Sequence, residues 1–533
     1  MSQLDWVLSG GEVVDGTGAP RRHADVGISG DRIAEVAPPG TLKGRNTLDC
    51  KGFVVAPAFL DTHSHSDLKI LVEPDLPPKV RQGVGLEVLG QDGISVTPVK
   101  EEDVADTRRR LAGLDGDPPV SWAWRDVRTY LDEIDRVKPH VDMTYLIPHG
   151  AVRAVVMGME NRHATPEEVR KMVALVEQGL EQGALGISTG LIYPPCVYGN
   201  AEELIELCKP VAKRDGAFVI HMRSESDYIL DGVEECLQIC RASGVRLHIS
   251  HFKIAGRENW GRVEELIAKV EEARRSGIEV TADQYPYIAG STMLGAILPP
   301  WMHEGGVDKV VERLNDKATR ARIRSEMQSQ QPSHWDNFWK WSRAKGIILA
   351  DVPSGRRPEV VGKTLEDAAN AAGVEALDFA LDLLASERLG VAMVSFSQSD
   401  DVVDALWKLP WVNACTDGLL GGRPHPRAFG TYPRILGRQT REKKLTTLEE
   451  AVRKMTSQAA RAMRLKDHGV VEKGKRANLV AFDFSTVIDN ATFTDPIQFP
   501  TGMRHVVNGG IPVVRDGDPV RGEGRGKTFR GIN

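Results

Sequence analysis

The chain has 533 residues, with 68 lysines and arginines against 74 aspartates and glutamates, which gives a formal net charge of −6. This balance gives no electrostatic reason to expect a nucleic-acid partner. Hydrophobic residues make up 41% and charged residues 27%, values typical of a globular protein with a large core. The first residues lack a basic and apolar leader, and no apolar run reaches the roughly 18 residues of a membrane span. We therefore expect a cytoplasmic protein without a membrane partner.

At both ends of the chain, the sequence predicts short β-strands beside Asp-Gly and Gly-Asp turn signals. Strand-like runs of this kind lie at residues 7–14, 32–36, 478–483, 503–508 and 511–514. Two β-rich ends around one long middle indicate a sheet that takes strands from both termini. We predict that residues 1–56 and 466–533 together form a small β-sandwich domain.

Between these ends, strand-like apolar runs alternate with amphipathic, helix-like segments. The runs lie at residues 54–60, 86–89, 143–147, 184–188, 218–221, 246–250, 279–282 and 411–415. Strands that alternate with helices form parallel sheets, and eight such units predict a (β/α)8 TIM barrel. The predicted class is therefore α/β, with the barrel at residues 57–465.

One stretch of the predicted barrel departs from this alternation. Residues 302–345 contain no clear strand–helix unit, and Trp335, Trp339 and Trp341 lie there in a polar run rich in Gln and Ser. We predict an insertion at about 302–345, which is either a lid over one barrel mouth or a packed helical excursion. Residues 391–396 form a ninth strand-like run outside the eight units.

Histidines and one aspartate follow several of the strand-like runs. His63 and His65 follow the first run, and residues i and i+2 of a strand project from the same face. His221, His251 and Asp417 each follow a later run. Active sites of β/α barrels lie at the carboxyl ends of the strands, so we expect these side chains to converge. Imidazole and carboxylate groups bind divalent metals, and the pattern predicts a metal site.

The segment around the first two histidines, residues 56–65 (APAFLDTHSH), resembles the first metal motif of the amidohydrolase superfamily. Other segments resemble the N-acyl-D-amino-acid deacylases (D-aminoacylases) in particular, in order and over nearly the whole chain. These segments are PKVRQGV at 78–84, GALGISTG at 183–190, HMRSE at 221–225, SHFK at 250–253, DQYPY at 283–287, HPR at 425–427 and GTYPR at 430–434. The resemblance implies a metal-dependent amide hydrolase.

The resemblance also implies roles for individual residues. His63 and His65 match the HxH pair of one metal position, and His221 and His251 match the histidine ligands of the second. Asp417 matches the aspartate that serves as general base. The substrate-binding positions of the family match Lys253, Tyr285, Ser291 and Arg427. His149 matches a family histidine near the site. The planar guanidinium of an arginine suits a substrate carboxylate because it donates to two oxygens at once.

The chain departs from the family pattern at one metal ligand. D-aminoacylases typically read GNCGIS where this chain reads GQDGIS at residues 90–95, so Asp92 stands in place of a ligating cysteine. A carboxylate still binds Zn²⁺, also accepts Mn²⁺ or Co²⁺, and can bridge two ions with its two oxygens. We expect Asp92 to be a ligand in a site for one or two divalent metals. The alternative is that Asp92 only forms a hydrogen bond with a neighbour.

The function that the resemblance implies is hydrolysis of N-acyl-D-amino acids or of dipeptides with a C-terminal D-residue. No lysine lies in residues 184–191, which disfavours the carbamylated lysine of dihydroorotase-like and hydantoinase-like relatives. An alternative is an amidohydrolase that acts on another amide, a cyclic imide, a carbamate or an ester. A non-catalytic scaffold is a third class. The expected partner is a small-molecule substrate, and a homo-oligomer is compatible with the sequence.

Overall fold

The computed structural model describes residues 3–531. Its strands, numbered in chain order, are β1 Leu4–Val13, β2 Arg22–Ser29, β3 Arg32–Ala37, β4 Gly44–Asp49, β5 Val54–Pro57, β6 Phe59–Asp61, β7 Val84–Leu89, β8 Asp142–Tyr145, β9 Ile147–Pro148, β10 Gly186–Gly190, β11 Ala217–His221, β12 Arg246–Ile249, β13 Val280–Gln284, β14 Ala289–Met293, β15 Ile347–Asp351, β16 Ala392–Phe396, β17 Val412–Ala414, β18 Leu479–Phe482, β19 Met503–Asn508, β20 Ile511–Arg515 and β21 Asp518–Pro519.

The α-helices lie mostly between the strands of the middle region, which confirms the predicted α/β class. They are α1 Lys69–Val72, α2 Pro77–Val80, α3 Val104–Asp115, α4 Val127–Arg136, α5 His149–Met157, α6 Pro166–Glu181, α7 Ala201–Lys213, α8 Ile229–Ser243, α9 Val263–Arg275, α10 Val307–Asn315, α11 Lys317–Met327, α12 Phe338–Ser342, α13 Leu365–Ala372, α14 Ala376–Ser386, α15 Asp400–Trp407, α16 Arg427–Arg434, α17 Leu448–Met455 and α18 Ser457–Ala462. Within residues 3–531, no helix combines the length and the apolar character that a bilayer crossing requires.

The two ends of the chain build one nine-stranded sheet, in the order β21-β20-β19-β18-β5-β1-β2-β3, with β4 paired to β1. The N-terminal strand β5 and the C-terminal strand β18 pair antiparallel at its centre. The β2–β3 hairpin turns at Gly30, whose φ of +59° is a left-handed conformation that glycine adopts without steric conflict. Leu8, Val26, Ala481 and Val507 belong to one buried cluster on this sheet, so both ends share a core.

Two parallel sheets form the centre of the molecule. One has the order β17-β13-β12-β11-β10-β9, and the other has the order β6-β7-β8. Their edges meet on both sides: Ser64 forms a parallel bridge with Gly418, and the Leu185 amide, just before β10, donates to the carbonyl oxygen of Tyr145 at the end of β8 at 2.9 Å. Most residues of these strands are buried, as expected for parallel strands covered on both faces.

Helix ends in this region follow the chemistry of their sequence. Thr165 caps α6 through its side-chain oxygen, Pro166 occupies the first helical position, and Glu168 completes a capping box. Thr447 caps α17 in the same way, accepting from the amide of Glu450. These caps confirm the predicted helix starts.

A third sheet lies outside the parallel ones. Strands β14, β16 and β15 pair antiparallel in that order, and the ninth strand-like run of the sequence is β16. The chain between β14 and β16 contains helices α10 to α14, with α10, α11 and α12 inside the predicted insertion. A separate buried cluster that includes Ile297, Leu314, Leu349 and Leu381 holds this part together, so it has a core of its own.

Candidate metal centre and substrate pocket

His63 and His65 lie just beyond the carboxyl end of β6. Their Nε2 atoms are 3.3 Å apart, as expected for side chains two residues apart that point the same way. The amide of Asp417 donates to the carbonyl oxygen of His63 at 2.8 Å, so the ends of β6 and β17 are held together. Below them, the buried Lys79 ammonium contacts Asp61 and Glu87 at 2.8 and 2.5 Å. This buried ion network fixes the first strand ends.

Asp92 lies between two pairs of histidines. It sits in the short 3₁₀ turn after β7 with φ +55°, a left-handed conformation that Asp tolerates better than most residues. Its Oδ2 atom is 3.5 Å from Nε2 of His63 and 3.6 Å from Nε2 of His65. Its Oδ1 atom is 3.6 Å from Nε2 of His251. The two carboxylate oxygens therefore face different histidine pairs.

His221 and His251 form the second pair. His221 ends β11, His251 follows β12, and Nδ1 of the first is 2.9 Å from Nε2 of the second. The amide of His251 donates to Asp283, which also accepts from Thr62. Asp283 thereby sets the position of His251.

The donor set fits a divalent metal. Asp92, His221 and His251 can each offer a ligand atom within 4.8 Å of the others, and His63, His65 and Asp92 form a second such group. Nε2 of His221 and Oδ1 of Asp92 are buried without a hydrogen-bond partner in the protein. Buried polar atoms are normally paired, and nitrogen and carboxylate ligands are those that zinc prefers.

Charges in this cluster oppose the effect of burial. Burial raises the pKa of Asp92, but the nearby His63 and hydrogen bonds from histidines hold that pKa well below its ordinary value. Burial lowers the pKa of His65, whereas Asp417 and Asp92 outweigh it and raise that pKa to about 10. Burial dominates at His221 and lowers its pKa to about 4. The carboxylates thus create a local negative field that attracts cations.

Asp417 joins the cluster to a buried arginine. It follows β17, and its Oδ1 atom is 3.4 Å from Nε2 of His65. Its Oδ2 atom is 3.0 Å from Nη1 of Arg427, the fully buried first residue of α16. The Arg427 guanidinium lies 4.4 Å from the ring centroid of Tyr285 and donates to the Ser291 carbonyl oxygen. Burial raises the pKa of Asp417, but Arg427 and His63 hold it well below its ordinary value.

Lys253 is the second cation of the site. Its Nζ atom is 2.7 Å from Oε2 of Glu225 and 2.6 Å from Nδ1 of His251. Lys253, Tyr285, Ser291 and Arg427 all line one pocket of about 30 Å³. The same pocket is lined by His65, Asp92, His221, His251 and Asp417. The predicted ligands and substrate-binding residues are therefore brought together.

His149 lies apart from this pocket. It begins α5, and its ring nitrogens contact Thr189 Oγ1 at 2.8 Å and Glu203 Oε1 at 2.7 Å. Both ring nitrogens thus have buried partners within the protein. His149 therefore lies among buried polar groups and does not line the pocket.

Several pocket residues were not predicted from the sequence. Glu225 contacts both His251 and Lys253, although the motif HMRSE at 221–225 already contained it. Tyr193 faces His221 with ring centroids 5.3 Å apart. Phe338 and Trp341 come from the predicted insertion. Because Glu225 is an acidic residue inside a histidine motif, the sequence could have identified it as a site residue. No sequence pattern indicated that the aromatic residues line the pocket.

An α/β fold with a buried imidazole–carboxylate centre at the ends of its parallel strands is typical of metal-dependent hydrolases. Residues 46–514 match the sequence model of the amidohydrolase family. D-aminoacylase from Alcaligenes xylosoxydans xylosoxydans is 33% identical over 511 residues, which cover 96% of this chain and 94% of that protein. The chain therefore belongs to the amidohydrolase family, which confirms the predicted resemblance, and it is a hydrolase of C–N bonds.

Two further relatives match this chain over nearly its whole length. N-acyl-D-glutamate deacylase from Alcaligenes xylosoxydans xylosoxydans is 33% identical over 98% of this chain and 96% of that protein. The crystal structure of N-acyl-D-glutamate deacylase from Bordetella bronchiseptica, complexed with zinc and a phosphonate mimic of the tetrahedral intermediate, is similar with a TM-score of 0.83. It is 31% identical, and the match covers 99% of this chain and 100% of that one.

Proposed function

We propose that this enzyme removes the acyl group from N-acyl-D-amino acids in a metal-dependent reaction. The observation that carries the proposal is the meeting of a buried imidazole–carboxylate cluster with Arg427, Lys253 and Tyr285 in one pocket. The cluster suits hydrolysis of an amide, and the two cations suit a free carboxylate beside that amide. The relatives named above act on substrates of this type, in which a D-amino acid carries the carboxylate.

His221, His251 and Asp92 would hold one divalent ion, and His63 and His65 would hold a second with the other oxygen of Asp92. The unpaired Oδ1 of Asp92 and the 2.9 Å approach of His221 Nδ1 to His251 Nε2 support this division. When bound, a zinc ion lowers the pKa of its water to roughly 7 and polarises the carbonyl group. Mn²⁺ or Co²⁺ also suits a site of nitrogen and oxygen ligands.

Asp417 would act as the general base and acid. Its Oδ1 atom lies 3.4 Å from Nε2 of His65, at the edge of the proposed metal centre, so it can accept the proton of the attacking water and deliver it to the departing amine. The contact of Oδ2 with Arg427 leaves Oδ1 toward the histidines, where the reaction takes place. Arg427 therefore orients Asp417 as well as binding substrate.

The carboxylate of the substrate would bind between Arg427, Lys253 and Tyr285. Other walls of the pocket include Leu114, Phe338 and Trp341, which are apolar or aromatic. Among the pocket-lining residues of the described chain, the two basic side chains already face the proposed carboxylate position. An apolar D-amino acid therefore suits the pocket better than an acidic one.

The fold supports a finer assignment. We infer that the two parallel sheets close into one (β/α)8 barrel through the Ser64–Gly418 bridge and the Leu185–Tyr145 hydrogen bond. In this assignment, the terminal sheet folds on itself, with Leu8 and Val26 packed in one cluster with Ala481 and Val507, and forms the small β-sandwich domain proposed for residues 1–56 and 466–533. The barrel takes residues 57–465, with the insertion at about 302–345.

The test is hydrolysis of N-acetyl- and N-octanoyl-D-leucine and their L enantiomers by enzyme loaded with Zn²⁺, Mn²⁺ or Co²⁺. We expect release of D-leucine with at least one metal and at most about 1% of that rate with the L enantiomers. Cyclic imides and an L–D dipeptide complete the panel. Turnover of L substrates alone, or of a cyclic imide alone, would overturn the proposal.

A further inference from the structure

A larger cavity adjoins the substrate pocket. It has a volume of about 340 Å³, whereas the pocket has about 30 Å³, room for roughly two waters at ~10–15 Å³ each. Ligand sites usually measure about 300–1,000 Å³, so the adjoining cavity and not the pocket has the size of a substrate. Its inner wall is largely apolar and includes Ile94, Leu111, Val155, Ile192, Met293 and Leu298.

The cavity and the pocket are neighbours along several segments of chain. Tyr193 lines both, and its hydroxyl group is 2.9 Å from Oγ1 of Thr292. On helix α3, Leu114 lines the pocket and Leu111, almost one turn earlier, lines the cavity. On strand β14, Thr292 lines the pocket and the next residue, Met293, lines the cavity. Tyr193 and Thr292 therefore stand at the junction.

The proposed binding mode predicts which part of the substrate faces this cavity. The carboxylate of the amino acid lies near Arg427 and Lys253, whereas the carbonyl of the acyl group must reach the metal cluster, where Tyr193 faces His221 with ring centroids 5.3 Å apart. The acyl chain continues beyond that carbonyl, and Tyr193 lines both the pocket and the cavity.

Resting on the proposed function, we propose that this cavity binds the acyl chain and that the enzyme acts on N-acyl-D-amino acids with medium and long acyl chains. Four charged residues, Lys100, Asp106, Glu160 and Glu304, are exposed at the outer rim, whereas Arg110 is half-buried in the wall and donates to Thr107 Oγ1 at 3.0 Å. The four exposed charges are of both signs and mark the boundary with solvent. The inner wall matches a hydrocarbon chain, because burial of apolar surface is favourable and does not require a specific partner.

The first test measures kcat/KM of the wild-type enzyme for D-leucine acylated with acetyl, butanoyl, octanoyl and dodecanoyl groups. Each methylene that enters an apolar wall is expected to raise kcat/KM about two- to threefold, somewhat below the full value for complete burial. The octanoyl substrate should exceed the acetyl substrate by about 100-fold. Equal values, or a decline beyond butanoyl, would overturn the acyl-chain assignment while leaving the deacylase function intact. Absence of turnover with every acyl length would instead reject the deacylase function itself.

A variant locates the effect in the cavity. Ala154 is a half-buried residue of α5 that lines the cavity, and Ala154→Trp places a large ring there. The ratio of dodecanoyl to acetyl kcat/KM should fall by tenfold or more. Ala372→Trp, at an exposed position of α13, is the matched control and should keep the wild-type ratio. An unchanged ratio in folded Ala154→Trp would contradict the proposal, and the acyl series with wild-type enzyme tests it independently of this variant.

Discussion

At the scale of single residues, Asp92 is the most informative position. A thiolate would offer one ligand atom, whereas the carboxylate of Asp92 directs Oδ2 to His63 and His65 and Oδ1 to His251. A harder ligand with two oxygens changes which metals are tolerated and allows one residue to serve two positions. We therefore expect the carboxylate to support the same reaction and to alter the metal preference.

We expect Asp92→Ala to lose at least one metal equivalent, measured by elemental analysis of purified protein. Asp92→Cys should retain it, because a thiolate is a strong zinc ligand. Both replacements put an ordinary side chain at φ +55°, so their backbone strain is similar and their difference reports the ligand. Full metal content in the Ala variant would show that Asp92 is only a hydrogen-bonding neighbour.

Asp417→Asn should keep the metal and lose about 10²–10⁴ in kcat, the usual contribution of a general base. Asn tolerates the left-handed φ of +47° at this position and can still accept from Arg427. Steady-state kinetics with metal analysis on the same sample measures both quantities. Near-normal kcat would remove Asp417 from the proton transfer.

At the scale of elements, the segment before α12 is attached to the site by one buried carboxyl group. Asp336 accepts from the hydroxyl groups of Ser224 and Ser226 and from the amide of Glu225. The segment that follows contributes Phe338 and Trp341 to the pocket wall. The predicted insertion is therefore held beside His221. It forms part of the wall of the proposed substrate pocket, which is the position expected of a lid.

This anchor predicts a dependence of stability on pH. Burial raises the pKa of Asp336 from 3.8 to about 7, so the folded state holds a proton that the unfolded state releases. The contribution of this group to stability is therefore full below about pH 4 and is lost as the pH rises to about 7. Relative to Asp336→Asn, the wild-type protein should lose about 2–3 kcal/mol of unfolding free energy between pH 5 and pH 8.

Urea unfolding of both proteins at the two pH values measures this difference. Asp401→Asn, at an exposed position of α15, is the control and should follow the wild type. A constant difference between wild type and Asp336→Asn would mean that the carboxyl group does not titrate in this window.

At the scale of the whole molecule, one buried ion pair joins the C-terminal part to the parallel strands. Arg476 donates to both oxygens of Asp142, the first residue of β8, at 2.8 and 3.0 Å. Asn478 donates to the same carboxylate at 2.7 Å. Arg476 lies 334 residues from Asp142 along the chain, so this contact depends on correct assembly of the two parts.

Arg476→Met should destabilise the protein by about 3–5 kcal/mol, because it leaves the Asp142 carboxylate buried without its cation. Differential scanning calorimetry should show a clear fall in the midpoint of unfolding. Arg45→Met replaces an arginine of strand β4 whose side chain is 63% exposed and should leave the midpoint almost unchanged. Equal midpoints for Arg476→Met and wild type would contradict a structural role for the pair.

Many strands, two helix caps and the convergence of the histidines could be predicted from the chain alone. Local patterning specifies strands and caps, and a parallel α/β arrangement brings the carboxyl ends of strands to one edge, so His63, His221 and His251 could be placed together before any coordinates. The tertiary structure alone decided that His149 turns to Glu203, that Glu225 supports Lys253, and that an apolar cavity adjoins the pocket. Those features depend on the packing of side chains from distant segments, and such packing leaves no periodic signal in the chain.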